Sequence, residues 1–220
     1  MFSIVYISWL FTCSVDDSGE NWIFLHIPKT GCTAIEELHP SFSLSRKVER
    51  CSVWHTPIQW LSASEKKLNY DTRKVFTLVR HPYDRMISQY KFMCWASKPG
   101  LNTLGYVTNL FESCKRNVTQ MNDFIHLHVE HLSVWGNDKQ AYFDCHFIPQ
   151  YYYFQNANRI FCNMSDLKRF VRALYQEGRH HKLHGLPKYD HSVLDSKSKA
   201  ILNRVYASDF LKCGFKNNMD

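Results

Sequence analysis

The sequence predicts a three-layer α/β fold in which helices flank a central parallel sheet of about four to five strands. Short apolar runs rich in aromatic and β-branched residues, at positions 22–27, 48–54 and 74–79, read as buried strands. Helix-compatible stretches separate them, and a fourth run follows at 159–162. That alternation is the βαβ rhythm of a parallel sheet. The chain has 220 residues, enough for one domain that buries roughly 70% of its unfolded surface, with little room for a second module.

Taken in order, residues 1–14 begin with an apolar stretch that lacks a basic start and is too short to span a bilayer. It reads as signal-like or as an extra edge strand. The first strand stops at Pro28 and delivers Lys29, Thr30, Gly31 and Thr33 into one turn, after which residues 34–38 read as the opening of a helix. An anion is favoured at such a place. Unpaired N–H groups and the positive end of the helix dipole face it, glycine permits close approach, and the lysine adds a full charge. The ordinary nucleotide-binding pattern Gly-x-x-x-x-Gly-Lys-Ser/Thr is absent, because Lys29 precedes the only glycine.

The strand at 74–79 runs into Arg80, and Pro82 then suits the first position of a helix, where its missing N–H costs nothing. Met86, Ile87, Tyr90 and Met93 share the side of that helix expected to face the core. Ligands of open parallel sheets gather beyond the carboxyl ends of the strands, and those ends carry Lys29, His55 and Arg80. Further helices are expected at 119–132, at 166–175 behind Ser165 as N-cap, and at 196–212 with a core stripe of Ile201, Leu202, Val205, Tyr206 and Phe210. Residues 98–105 and 178–191 read as loops. In the second of these, His180, His181, Lys182, His184, Lys188 and His191 lack the spacing of a metal site and read as a solvated basic surface.

The formal charge of +7 suits attraction of polyanions. The basic residues form no dense tract and no recognisable nucleic-acid module, so nucleic acid is not expected as a partner. Eight cysteines without a Cys-x-x-Cys pair argue against structural zinc. Their even number, with the acceptor tripeptides Asn117-Val118-Thr119 and Asn163-Met164-Ser165, is compatible with a secretory lumen.

Pro28-Lys29-Thr30-Gly31-Cys32-Thr33 and the run from Arg80 to Tyr90 resemble the motifs Pro-Lys-Thr-Gly-x-Thr and Arg-x-Pro-x-x-Arg-x-x-Ser-x-Tyr. These belong to sulfotransferases that use 3′-phosphoadenosine 5′-phosphosulfate (PAPS). His146-Phe147-x-Pro149-Gln150, Tyr206-x-x-Asp209-Phe210 and Gly214-Phe215 look like segments of the Golgi-type carbohydrate branch, sulfotransferase family 2. The resemblance implies a P-loop NTPase-like fold, PAPS as sulfonate donor and no metal. It assigns Lys29 and the backbone around Thr30, Gly31, Cys32 and Thr33 to the donor's 5′-phosphate, and Arg80 with Ser88 to its 3′-phosphate. Lys29 would also stabilise the leaving phosphate.

His55, within Trp54-His55-Thr56, resembles the family's catalytic base; His146 is the second choice, and Glu36 or Glu37 a further one. His26 is expected to be packed. Arg85 stands outside the assigned site, equally suited to pairing with a carboxylate on its helix. The expected acceptor is a carbohydrate hydroxyl, on an anionic glycan, with membrane association through an N-terminal anchor that is short or missing here. A Golgi or secretory setting follows for a eukaryotic chain, and the cytoplasm for a bacterial or viral one. The rival readings are a nucleotide phosphotransferase, which would need Mg²⁺ and a carboxylate to hold it, and a glycan-binding relative without turnover.

Overall fold

A computed structural model describes residues 22–31, 35, 51, 55–70, 73–96, 118–130, 144–174 and 190–217. Three strands, β1 (Trp22–Phe24), β2 (Lys74–Leu78) and β3 (Arg159–Phe161), form a parallel sheet in the order β1-β2-β3. The register pairs Phe24 with Phe76 and Phe76 with Arg159, so β2 is central and buried after its first residue. Its one buried polar residue, Thr77, donates its hydroxyl to Leu25 O at 2.8 Å, which removes the cost of burying it. Of the strand predicted at 48–54, only Cys51 lies within the described residues, in a bend. The described sheet therefore has three strands.

Side chains alternate across the sheet as the twofold strand period requires. Trp22, Phe24, Phe76, Leu78 and Phe161 pack on one face with Leu167 and Val171. Ile23, Leu25, Val75 and Val79 pack on the other with Ile58, Ile148, Tyr153 and Phe154. Burying a ring such as Phe76, which is inaccessible to solvent, contributes roughly 1.5–3 kcal/mol.

The helices are α1 (Ala63–Tyr70), α2 (Pro82–Ala96), α3 (Val118–His128), α4 (Tyr151–Phe154), α5 (Met164–Leu174), α6 (Ser196–Val205) and α7 (Ala207–Cys213). A second core joins α2, α3, α6 and α7. It contains the predicted stripe of Met86, Ile87, Tyr90 and Met93 together with Ile201, Leu202, Tyr206 and Phe210. The helix expected over 196–212 is two helices, broken at Tyr206 (φ −110°, ψ 26°) and closed by Gly214 in the left-handed conformation. The break directs the Tyr206 hydroxyl to Phe147 O at 2.9 Å. Helix α5 is capped by Asn163 rather than Ser165: Asn163 Oδ1 accepts from Asp166 N–H at 2.8 Å, and Nδ2 donates to Asp166 Oδ2 at 2.7 Å.

Disulfides Cys51–Cys145 and Cys162–Cys213 tie distant segments, and Cys94 is disulfide-bonded as well. All five cysteines among the described residues are thus paired. No described helix is long and apolar enough to cross a membrane.

Candidate active site

The turn after β1 is drawn tight by Thr30, whose N–H and hydroxyl both donate to Ile27 O, at 3.3 and 2.9 Å. Lys29 (φ 67°) and Gly31 (φ 106°) take left-handed backbone. A Cβ on Gly31 would stand 2.7 Å from Met164 Cε, so this turn accepts only glycine without a shift of Met164. Lys29 reaches back over the Phe92 ring, its Nζ 4.2 Å from the centroid. Ile35 is helical and fully buried, and the rest of the helix expected at 34–38 lies outside the described residues. Cys32, Thr33, Glu36 and Glu37 lie outside the described residues.

Arg80 follows β2 and bridges to that turn, donating from Nη1 to Lys29 O at 3.2 Å. Its backbone is held on both sides by the buried Gln150: Arg80 N–H donates to Oε1 at 2.9 Å and Nε2 donates to Arg80 O at 2.8 Å. Gln150 is itself fixed by Asp209, which accepts from Gln150 N–H, Gln150 Nε2 and Tyr151 N–H at 2.9, 3.2 and 2.7 Å. Ser88 lies half-buried on α2, in one helical row with Asp84 and Lys91. Burial lowers the Lys91 pKa and the Arg80 charge lowers it further, while Asp84 opposes the shift. Two cations facing one another and partly stripped of water make a place for an anion.

Arg85 is 2% exposed and serves the architecture. It donates to Pro28 O at 3.0 Å, Ile148 O at 2.9 Å and His146 O at 2.9 Å, joining the phosphate turn to the 146–150 segment through backbone carbonyls, not through a carboxylate on its own helix.

Beside Lys29 stands a histidine cluster. The His55 ring meets His26 and His146 edge-on, with centroids 4.7 Å apart in both cases, and His146 stacks on Phe92 at 5.4 Å. Phe92 thus contacts both the Lys29 ammonium and the His146 ring. His55 Nδ1 lies 2.6 Å from Asp144 Oδ2. His146 Nδ1 lies 2.7 Å from Gln89 Oε1, an acceptor, so this nitrogen carries the proton. Burial above all, then His55, Lys29, Arg85 and His26, holds the His146 pKa well below the usual histidine value. His146 therefore stays neutral at physiological pH and is the poorer candidate base.

His55, Asp144 and His146 each present a metal-ligand type of atom, all within 4.8 Å of one another. The 2.6 Å contact within that trio is a hydrogen-bonded imidazole–carboxylate pair. His55 lies three residues before the short helical turn Ile58–Trp60, and its carbonyl accepts from Tyr153 Oη at 2.7 Å. His180, His181, Lys182, His184 and Lys188 lie outside the described residues. His191 Nε2 donates to Asp84 Oδ1, 2.9 Å away.

The sulfotransferase family model matches residues 15–200, a span that includes the phosphate turn, His55, Arg80, Ser88, Asp144 and Gln150. The chain belongs to the sulfotransferase family. No curated protein and no solved structure matches it significantly. The family is one of sulfonate transferases and implies PAPS as donor. Residues of this sulfotransferase fit a donor with two phosphate ends. Gly31 takes a backbone conformation that side chains rarely adopt, Lys29 and Arg80 follow the carboxyl ends of β1 and β2, and the Arg80 charge reaches Lys91 on α2.

Sequence reasoning missed Asp144 and Gln89, which hold the two histidines, and the depth at which Arg85 works. Gln150 and Asp209 were visible as motif letters without a role. The roles of Asp144, Gln89, Gln150 and Asp209 come from contacts 57 to 89 residues apart in sequence, which no local pattern encodes.

Proposed function

We propose that this sulfotransferase transfers the sulfonate of PAPS to a carbohydrate hydroxyl by direct in-line displacement. The observation that supports the reading most is the bond from the Arg80 guanidinium to the Lys29 carbonyl at 3.2 Å, which ties the turns after two adjacent parallel strands, each carrying a cationic residue. Arg80 and Ser88 would hold the 3′-phosphate, with a guanidinium fork suited to two oxygens. Lys29 and the backbone of residues 30–33 would hold the 5′-phosphate, and Lys29 would meet the negative charge that grows on the bridging oxygen as it leaves. His55 would take the proton of the acceptor hydroxyl. The charge of +7 favours an anionic glycan as acceptor. Paired cysteines favour synthesis in an oxidising secretory compartment.

Calorimetry with 3′,5′-ADP, the spent donor, and transfer of labelled sulfonate to a panel of desulfated glycans test the reading. Arg80→Ala is expected to weaken 3′,5′-ADP binding at least tenfold, about 1.4 kcal/mol. His55→Ala should keep that affinity and lose transfer by roughly 10²–10⁴-fold. A wild-type protein with no affinity for 3′,5′-ADP refutes the proposal.

A further inference from the structure

We infer that Asp144 is the positioning carboxylate of the His55 base, and that the Cys51–Cys145 disulfide with Tyr153 holds carboxylate and imidazole as one unit. The inference rests on the reading of His55 as base. A carboxylate only accepts, so the 2.6 Å contact places the imidazole proton on Nδ1 and makes Nε2 the basic nitrogen. In the transfer step Nε2 takes the hydroxyl proton while the hydroxyl oxygen bonds to sulfur. The bond from sulfur to the bridging oxygen breaks, and its electron pair leaves with the phosphate. The imidazolium so formed faces the Asp144 carboxylate, which stabilises it. Without that carboxylate the two tautomers compete and the ring is free to turn.

Three further features bear on Asp144. It and its neighbour Cys145 are consecutive non-glycine residues in left-handed backbone, φ 54° and 64°, a conformation that persists only where surrounding contacts impose it. Cys145 is bridged to Cys51, four residues before His55, so the covalent link joins the two segments that supply the pair. The buried Tyr153 hydroxyl donates to His55 O at 2.7 Å and to Cys145 O at 3.3 Å, spanning the same two segments. Strained backbone, cross-link and hydroxyl bridge thus meet at one carboxylate, 89 residues from the histidine it holds. His146, two residues on, has no such partner for its Nδ1: it is held by the neutral Gln89 amide.

The test uses the full chain, with ¹⁵N-labelled histidine and His55→Gln to assign the His55 signals. Wild type is expected to show His55 protonated at Nδ1 with a strongly hydrogen-bonded proton. Asp144→Ala should lose that proton signal, and Asp144→Ala and Asp144→Asn, the latter keeping an acceptor oxygen but not the charge, should both lower kcat at least a hundredfold on the best glycan of the panel. Their affinity for 3′,5′-ADP should stay within twofold of wild type, and Asp144→Glu should recover part of kcat. Protonation of wild-type His55 at Nε2 instead, or a kcat within threefold of wild type in Asp144→Ala, overturns the inference. Should wild type fail to bind 3′,5′-ADP, the sulfotransfer reading falls while the His55 spectrum still decides the tautomer. If a variant does not fold, the wild-type spectrum alone decides.

Discussion

Gly31 is the residue at which the phosphate turn is most constrained. Its φ of 106° disfavours any side chain, and an added Cβ would approach Met164 Cε to 2.7 Å. Gly31→Ala is expected to lower stability by about 1–2 kcal/mol and to weaken 3′,5′-ADP binding at least fivefold, measured by urea denaturation and calorimetry. Unchanged affinity would mean that the turn does not hold the nucleotide. The need for glycine here was legible, because the motif places it between a strand and a helix. Asp144 was not: its backbone conformation and its partner are set by a distant cross-link, and nothing in its neighbours signals either. The two Thr30 donors are likewise unreadable from a motif letter. Both go to Ile27 O, so Thr30 shapes the turn from within.

Between elements the decisive link is Arg85, which fastens α2 to the turn after β1 and to the segment before α4. Arg85→Met would leave three carbonyls without these donors, and should destabilise the protein by about 3 kcal/mol or more in urea denaturation. A loss below about 1 kcal/mol would refute this role. The core stripe of α2 was legible because a 3.6-residue period is local information; the partners of Arg85 were not, lying 57 to 63 residues away. The same distinction explains the helix boundaries. The apolar stripe of residues 201–210 continues across Tyr206, but the chain breaks there, where the hydroxyl meets Phe147 O. Asn163 caps α5 because the side chain two residues upstream of Ser165 has both an acceptor and a donor to offer Asp166. The parallel order of β1, β2 and β3 agrees with the βαβ rhythm read from the sequence.

For the molecule as a whole, burial lowers the pKa of three histidines, His81, His128 and, most strongly, His146. Each is neutral in the native state over a range in which the unfolded chain, with a histidine pKa near about 6.5, takes up a proton. The unfolded state binds more protons there, so stability rises with pH through that window, is complete above about pH 6.5 and is lost as pH falls below it toward the native pKa values. Urea midpoints should therefore drop between pH 7.5 and pH 5.5, and His146→Gln should flatten the dependence. A midpoint that rises on acidification contradicts the burial of neutral imidazoles. The disulfides act at this scale too, since Cys162–Cys213 fastens the end of β3 to the end of α7 across 51 residues. The family match stops at residue 200, before Tyr206, Asp209 and Cys213. Yet Asp209 secures the glutamine that cradles the Arg80 backbone, so the tail supports the end of β2 within the matched span. A protease that clips between α6 and α7 would leave residues 28–33 and 80–90 uncut and still loosen the Arg80 backbone from behind.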